Sequence, residues 1–392
     1  MKLKIVIGPV TAAVTSAVIA AAGAPPASAR AAEASRPDVS AASTGPAVPG
    51  SWAHHAGIEP AVPGSWAHRA ETGSVEQGRW IKLAGTRGEL NEAAGAPVRL
   101  ASYSLVFDAG QQHYGYLREG DRFVRTPYRE ALAAPGGRWV AGIEDSRLWL
   151  AKRKIDLIDR RSGRTHTISL PAPVTSPEWS ADGRTLLLTA YRPHRDGSLT
   201  TIGFVTVDAA ERTARLVHAG PRHRVSDWGI GRSHRFYFAG SADRVLAVRN
   251  GPEAGPRKRR IAVYDLDGRQ RRVYTGVGTL DEWHTTTPFS PSGRLFGTLL
   301  GDSRDSGGGG PIGIVDAETG KIVHRFGRDV RAFAGWYDDE HAIVQRERAG
   351  TRIYQRVDLS GGDAVDLIRE KLVAGPADYR PHLERVNFVR RS

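Results

Sequence analysis

The sequence runs to 392 residues, 40% hydrophobic and 25% charged, with a formal net charge of +13 and no cysteine. That length admits one large domain with tails, or two domains, and the composition is that of a globular chain. The missing cysteine excludes disulfides, thiolate metal centres, cysteine nucleophiles and a lipid-modified cysteine anchor.

The first 29 residues have the plan of a secretory signal. Lys2 and Lys4 supply a positive start, 5–23 is an alanine-rich apolar stretch, and Ala27-Ser28-Ala29 is a small-x-small cleavage site. Gly8, Pro9, Thr11, Thr15 and Ser16 make the stretch a poor membrane span, and no later segment approaches the ~20 apolar residues a span needs. A secreted, extracellular or wall-associated protein is therefore expected, with no stable membrane span after cleavage. Losing two lysines leaves 13 − 2 = +11. Arginine is spread through every segment, so the excess reads mainly as compositional bias.

Residues 30–95 are poor in large apolar side chains and read as a mostly disordered linker. The segment holds a perfect nine-residue duplication, 46–54 and 60–68 (Pro-Ala-Val-Pro-Gly-Ser-Trp-Ala-His), which reads as a tandem slip. Within it Arg79-Trp80-Ile81-Lys82-Leu83 is a candidate first strand.

From residue 96 onward apolar runs of four to eight residues alternate with Gly, Pro, Asp and Ser, which predicts strands throughout. A five-residue turn recurs: Ala134-Pro135-Gly136-Gly137-Arg138, Ser180-Ala181-Asp182-Gly183-Arg184, Ser290-Pro291-Ser292-Gly293-Arg294, and a worn copy, Tyr337-Asp338-Asp339-Glu340-His341. After each comes an apolar strand and then an aspartate-led hairpin turn at Asp159, Asp208, Asp316 or Asp358, spaced 22, 25, 23 and 18 residues from Gly137, Gly183, Gly293 and Glu340. Room remains for one further unit, with a degraded turn near Gly231-Arg232-Ser233-His234, a following strand Phe236-Tyr237-Phe238 and a hairpin at Asp265. Repeats of this size and content predict a β-propeller of four-stranded antiparallel blades. The first blade, built from 100–107, 114–118 and 122–125, lacks an inner strand, which 379–389 is expected to supply. We count six blades, or seven if Trp80 to Leu83 starts another.

Pro177-Glu178-Trp179-Ser180-Ala181-Asp182-Gly183-Arg184 and Phe289 to Arg294 resemble the repeat of TolB-like and WD-repeat-like bacterial propellers. So do the hairpins Ile314 to Lys321 and Val263 to Gly268. The resemblance implies the fold and is nearly silent on activity, because such propellers serve as scaffolds, receptors and accessory domains.

No Gly-x-Ser-x-Gly elbow for a hydrolase domain is found, and Ser180-Ala181-Asp182-Gly183 departs from a sialidase Asp box. With three asparagines in the chain, a lactonase-like calcium site is poorly supplied. The acids of 302–310 read as part of a flexible glycine-rich connection rather than a metal site. No metal and no cofactor are expected.

Inner strands line a propeller's channel, so polar and aromatic residues just before each inner turn are the binding candidates. Glu178, Trp179 and Trp336 belong to this group; Trp179, Phe289 and Trp336 read chiefly as packing between blades. Asp227, Trp228, Asp281, Glu282, Trp283 and His284 depart from the repeat and are the chosen candidates, since indoles beside carboxylates suit sugars or peptides. The expected function is a secreted, non-catalytic module binding a protein, peptide or cell-wall glycan. Its rival is an extracellular hydrolase or lyase using Asp227 and Glu282. Arg257, Lys258, Arg259 and Arg260 form the densest positive cluster, suited to an anionic polymer; nucleic acid is not expected.

Overall fold

In the computed structural model of the chain, the described residues are 78–107, 112–144, 152–220, 222, 224–225, 235–249, 260–280, 287–301, 311–327, 329–362, 364–372 and 381–391. All regular structure among them is β-strand. No helix among them is long and apolar enough to cross a membrane.

The strands assort into antiparallel groups that follow the predicted repeat. The first blade is β25 (His382–Arg390), β3 (Val98–Phe107), β4 (Gln112–Glu119) and β5 (Arg122–Arg125), in that order. The C-terminal strand is thus the inner strand of the first blade, as the sequence led us to expect, with Asn387 opposite Ser102 and Arg390 opposite Val98. The second blade is β6 (Glu130–Ala133), β7 (Trp139–Ile143), β8 (Lys152–Asp159) and the start of β9 (Arg164–Trp179). β9 serves two blades. Arg164 to Ser169 pairs with β8, and 174–179 forms the inner strand of the third blade against β10 (Thr185–Pro193). Its bend falls at Ser176, which has a φ of 57°.

The third blade continues through β11 (Leu199–Asp208) and β12 (Thr213–His218), with the short β13 (Arg224–Val225) also on β11. The fourth is β14 (Phe236–Ala239), β15 (Ser241–Val248), β16 (Arg260–Asp265) and β17 (Gln270–Thr275). Here the structure corrects the sequence reading: Phe236 to Phe238 is the inner strand itself, and the turn after it sits at Gly240, with a φ of 76°. Ser241-Ala242-Asp243-Arg244 keeps the Ser, Asp and Arg of the other turns, with Ser241 Oγ bonded to Asp243 as Ser180 Oγ is to Asp182, but it lacks the glycine between Asp and Arg, which hid it. The fifth blade has β18 (Leu295–Leu299), β19 (Ile312–Asp316) and β20 (Ile322–Arg325). Its inner place is taken by 287–290, bridged at Phe289 to Phe296 and bonded by Gly297 N–H to Pro288 O at 3.0 Å. The sixth is β21 (Val330–Trp336), β22 (His341–Arg348), β23 (Thr351–Asp358) and β24 (Ala364–Lys371).

A hairpin of β1 (Arg79–Lys82) and β2 (Gly88–Glu92) extends this last sheet, β2 pairing with β24. The Trp80 segment therefore does not start a seventh blade. Ordered structure begins within the stretch read as linker, at β1, while 1–77 lies outside the described residues.

The recurring turns have one construction. Gly183 N–H donates to Ser180 O, Ser180 Oγ accepts from Thr185 N–H, and Asp182 Oδ1 accepts from Arg184 N–H. Gly293, Ser290 and Leu295 repeat the first two bonds. The hairpin aspartates accept the backbone N–H groups of their own turns, as Asp208 does from Ala210 and Glu211 and Asp316 from Thr319. The hairpins at Asp159, Asp208, Asp316 and Asp358 are each tied to the inner turn by one backbone bond: Arg160 N–H to Arg138 O, Ala209 N–H to Arg184 O, Ala317 N–H to Arg294 O and Leu359 N–H to Glu340 O.

Both faces of most strands are buried, which is why the strands read as unbroken apolar runs. Along β10, Leu186 and Leu188 join the cluster shared with the second blade, whereas Leu187 joins the one shared with the fourth. Among the described residues, the buried apolar side chains form six such clusters, one for each cleft between neighbouring blades. Leu383 and Val386 of β25 pack with Ile343 and Tyr354 of the sixth blade, and Val389 packs with Ala131 and Val140 of the second. The ring is therefore continuous.

Candidate binding site on the propeller axis

Inner strands have no strand neighbour toward the axis, so their backbone groups there need other partners. Side chains from adjoining blades provide them. Trp179 Nε1–H donates to Leu132 O and Trp336 Nε1–H to Pro288 O, each at 2.8 Å. Glu178 Oε2 accepts from Phe238 N–H at 3.1 Å, and Thr189 Oγ1 from Phe236 N–H at 2.9 Å. Ala133 is held twice: its N–H donates to Ser102 Oγ and its O accepts from Asn387 Nδ2–H. Arg385 crosses from the first blade to donate to Pro177 O at 3.3 Å and pair with Glu130 at 3.4 Å. The tryptophans before the turns are thus interblade packing residues, as read from the repeat.

Toward the inner turns the axis opens into a cavity of about 150 Å³. Every blade contributes to its wall. Trp179, Phe238, Phe289, Trp336 and Phe388 come from five blades, and Pro135 from the second. Glu178 is its acid. The residue is buried, and while Oε2 is bonded to Phe238, Oε1 has no hydrogen-bond partner. Burial pushes the Glu178 carboxyl well above the usual carboxylate range; the Phe238 N–H and the charges of Arg385 and Arg235 oppose this without reversing it. Arg390 is exposed at the rim. The site thus offers apolar rings, one carboxyl oxygen lacking a partner, and a cation at the entrance.

A second polar group lies toward the start of β25. His113 Nδ1 is 2.8 Å from Glu384, and Arg129 is 3.0 Å from His113 Nε2. Burial raises the Glu384 carboxyl, but the His113 hydrogen bond and the charges of His113, Arg129 and Arg235 hold it below its usual range.

Asp227, Trp228, Asp281, Glu282, Trp283 and His284 lie outside the described residues, as do Arg257, Lys258 and Arg259. The fourth member of that basic run, Arg260, is exposed at the start of β16. Nearby, Arg271 is paired with Asp265 and Arg272 donates to Glu318 O. Of the sequence candidates, Glu178, Trp179 and Trp336 are brought together at the cavity. Sequence reasoning missed Arg385, Asn387 and Ser102. Asn387 carried a usable signal: asparagine occurs three times in the chain, and one copy falls in the predicted closing strand.

A ring of antiparallel sheets around an axial cavity makes the chain a β-propeller. No protein-family model matches the chain, and no curated protein matches it. Among solved structures it is similar to TolB from Acinetobacter baumannii, at 13% identity over 76% of this chain and 68% of that one, with a TM-score of 0.45. It is also similar to the β-propeller domain of the Trilobed protease from Pyrococcus furiosus, at 12% identity over 74% and 81% of the two chains, with a TM-score of 0.42. A third is oligogalacturonate lyase in complex with manganese, at 11% identity over 74% and 85%, with a TM-score of 0.42.

Proposed function

We propose that this protein is a secreted, non-catalytic β-propeller that binds a protein, peptide or cell-wall glycan at the axial cavity. Export is supported by Lys2, Lys4 and the small-residue site Ala27-Ser28-Ala29. One observation carries the binding reading: all six blades line a cavity where a buried carboxyl oxygen, Glu178 Oε1, lacks a partner. An unpartnered buried polar atom costs free energy that a ligand donor or acceptor would relieve. The surrounding rings offer apolar contact to a sugar ring or an aromatic side chain.

Screening the mature protein against glycan and peptide arrays, followed by titration of the hits, tests the reading. Ala181→Trp places an indole over the cavity from an exposed turn position. It is expected to weaken binding at least about tenfold, a loss of ~1.4 kcal/mol or more. A hit bound equally by wild type and Ala181→Trp removes the cavity as the site.

A further inference from the structure

A second site stands apart from the axial cavity, where the β1–β2 hairpin meets the first two blades. Four arginines gather here, two of them on one carboxylate. Arg118 on β4 makes a forked pair with Glu92 at the end of β2, at 2.6 and 2.7 Å. Arg391, just past β25, lies 3.5 Å from the same carboxylate and donates to Ala94 O at 2.8 Å. Arg160, in the hairpin turn after β8, donates to Arg118 O at 2.9 Å. Arg99 on β3 completes the group; a Cβ built at Gly137 would lie 3.1 Å from its Nη2, so its guanidinium rests on the inner turn of the second blade.

Three of these guanidiniums are fixed by carbonyls or by Glu92. Arg99 differs. It makes no hydrogen bond and no ion pair among the described residues, and its Nε is buried without a partner. Burial, and then the charges of Arg118, Arg160 and Arg391, lower its pKa, while Glu92 opposes them. The four cations face one acid, 4 − 1 = +3. The neighbouring Asp121, 3.8 Å from Arg118, is matched by Arg79. Folding has therefore brought like charges together and left their excess unneutralised, which costs free energy unless an anion completes the cluster.

We propose that Arg99, with Arg118, Arg160 and Arg391 around it, is a binding site for a phosphoryl group. A guanidinium fork matches phosphate oxygens two at a time. A doubly charged tetrahedral oxyanion accepts from several forks at once and offsets more of the excess than a carboxylate does. Anchoring of three arginines in advance lowers the ordering cost of binding. The phosphoryl group belongs either to free phosphate or to a phosphodiester polymer of the kind a basic exported protein meets at a wall surface.

The test uses the mature chain, titrated by calorimetry with inorganic phosphate in one arm and a linear poly(glycerol phosphate) in the other, at low and at physiological salt. Saturable binding in the first arm is expected for a free-phosphate site; tighter, strongly salt-dependent binding in the second marks the polymer as the source. Arg99→Gln is expected to weaken either at least about tenfold. Melting gives an independent readout. Phosphate should raise the Tm of wild type and not of Arg99→Gln, and without phosphate the variant should melt at or above wild type, because it removes repulsion. Arg99→Lys keeps the charge without the fork and should fall between them, which covers the case in which the glutamine variant does not fold. Absence of saturable binding in both arms, or an equal phosphate shift in all three proteins, overturns the proposal. Ala181→Trp should leave phosphate binding unchanged, so this site and the axial cavity fail or survive separately.

Discussion

Glu178 combines two roles that a propeller's inner strand imposes. Its Oε2 caps a backbone N–H of the next blade, and its Oε1 is left over. Because burial raises its folded pKa above the unfolded value, the folded chain holds this proton more tightly than the unfolded chain does. The associated stability is complete below the ordinary carboxyl range and is lost as pH rises through the folded value. Glu178→Gln keeps an oxygen acceptor for Phe238 and cannot ionise. We expect it to melt above wild type at neutral pH, with the gap closing as pH falls below the ordinary carboxyl range; a pH series of thermal melts checks the sign. Asp316 and Asp358 act oppositely. Turn N–H donors, from Thr319 and Ser360, hold them below their usual range, so their contribution is present above it and lost on acidification. Trp336→Phe keeps most of the packing but strips Pro288 O of one of its two donors, Gly297 N–H remaining. We expect a loss of about 0.5–1.5 kcal/mol in denaturant unfolding, the net worth of one hydrogen bond.

At the scale of elements, the turn–strand–hairpin unit was legible wherever its chemistry was intact. Gly183 shows why that chemistry is strict: its φ is 68°, and a Cβ there would lie 2.4 Å from Pro135 O of the preceding blade. Gly183→Ala should cost roughly 1–2 kcal/mol for the left-handed backbone alone, before the clash is counted, as measured by denaturant unfolding. The same strictness explains what was not legible. The fourth blade turns at Gly240, and its Ser241-Ala242-Asp243-Arg244 lacks the glycine that stands between Asp and Arg in Ser180-Ala181-Asp182-Gly183-Arg184, so its inner strand was read as the strand after the turn. The β1–β2 hairpin was half legible: 79–83 reads as a candidate first strand, but its partner β2 does not. It contributes Ile81, Leu83 and Leu90 to the core between the sixth and first blades, but these three residues sit in a polar stretch that composition assigns to linker. A chain starting at residue 93 should lose this cover and the Arg118 partner Glu92, and melt below the mature protein.

For the whole molecule, closure was foreseeable because the first blade lacked a strand and the last residues had strand character. The axial partners were not, because Ser102, Glu130, Arg385 and Asn387 meet only once the ring is formed, from segments as far as 285 residues apart. Strand β25 joins the ends of the chain's fold, packs on both neighbours and carries part of the cavity wall, so ring and site depend on it together. The chain's lack of cysteine makes this directly measurable. Val98 and Arg390 are opposite one another across β3 and β25. Paired antiparallel residues have Cα atoms about 4.5–5.5 Å apart, within the range a disulfide spans. Val98→Cys/Arg390→Cys, oxidised mildly in native buffer, should give one monomeric cross-linked product that reverts on reduction. Persistent free thiols in the folded protein, or cross-linking only between molecules, would contradict a ring closed by its own C-terminal strand.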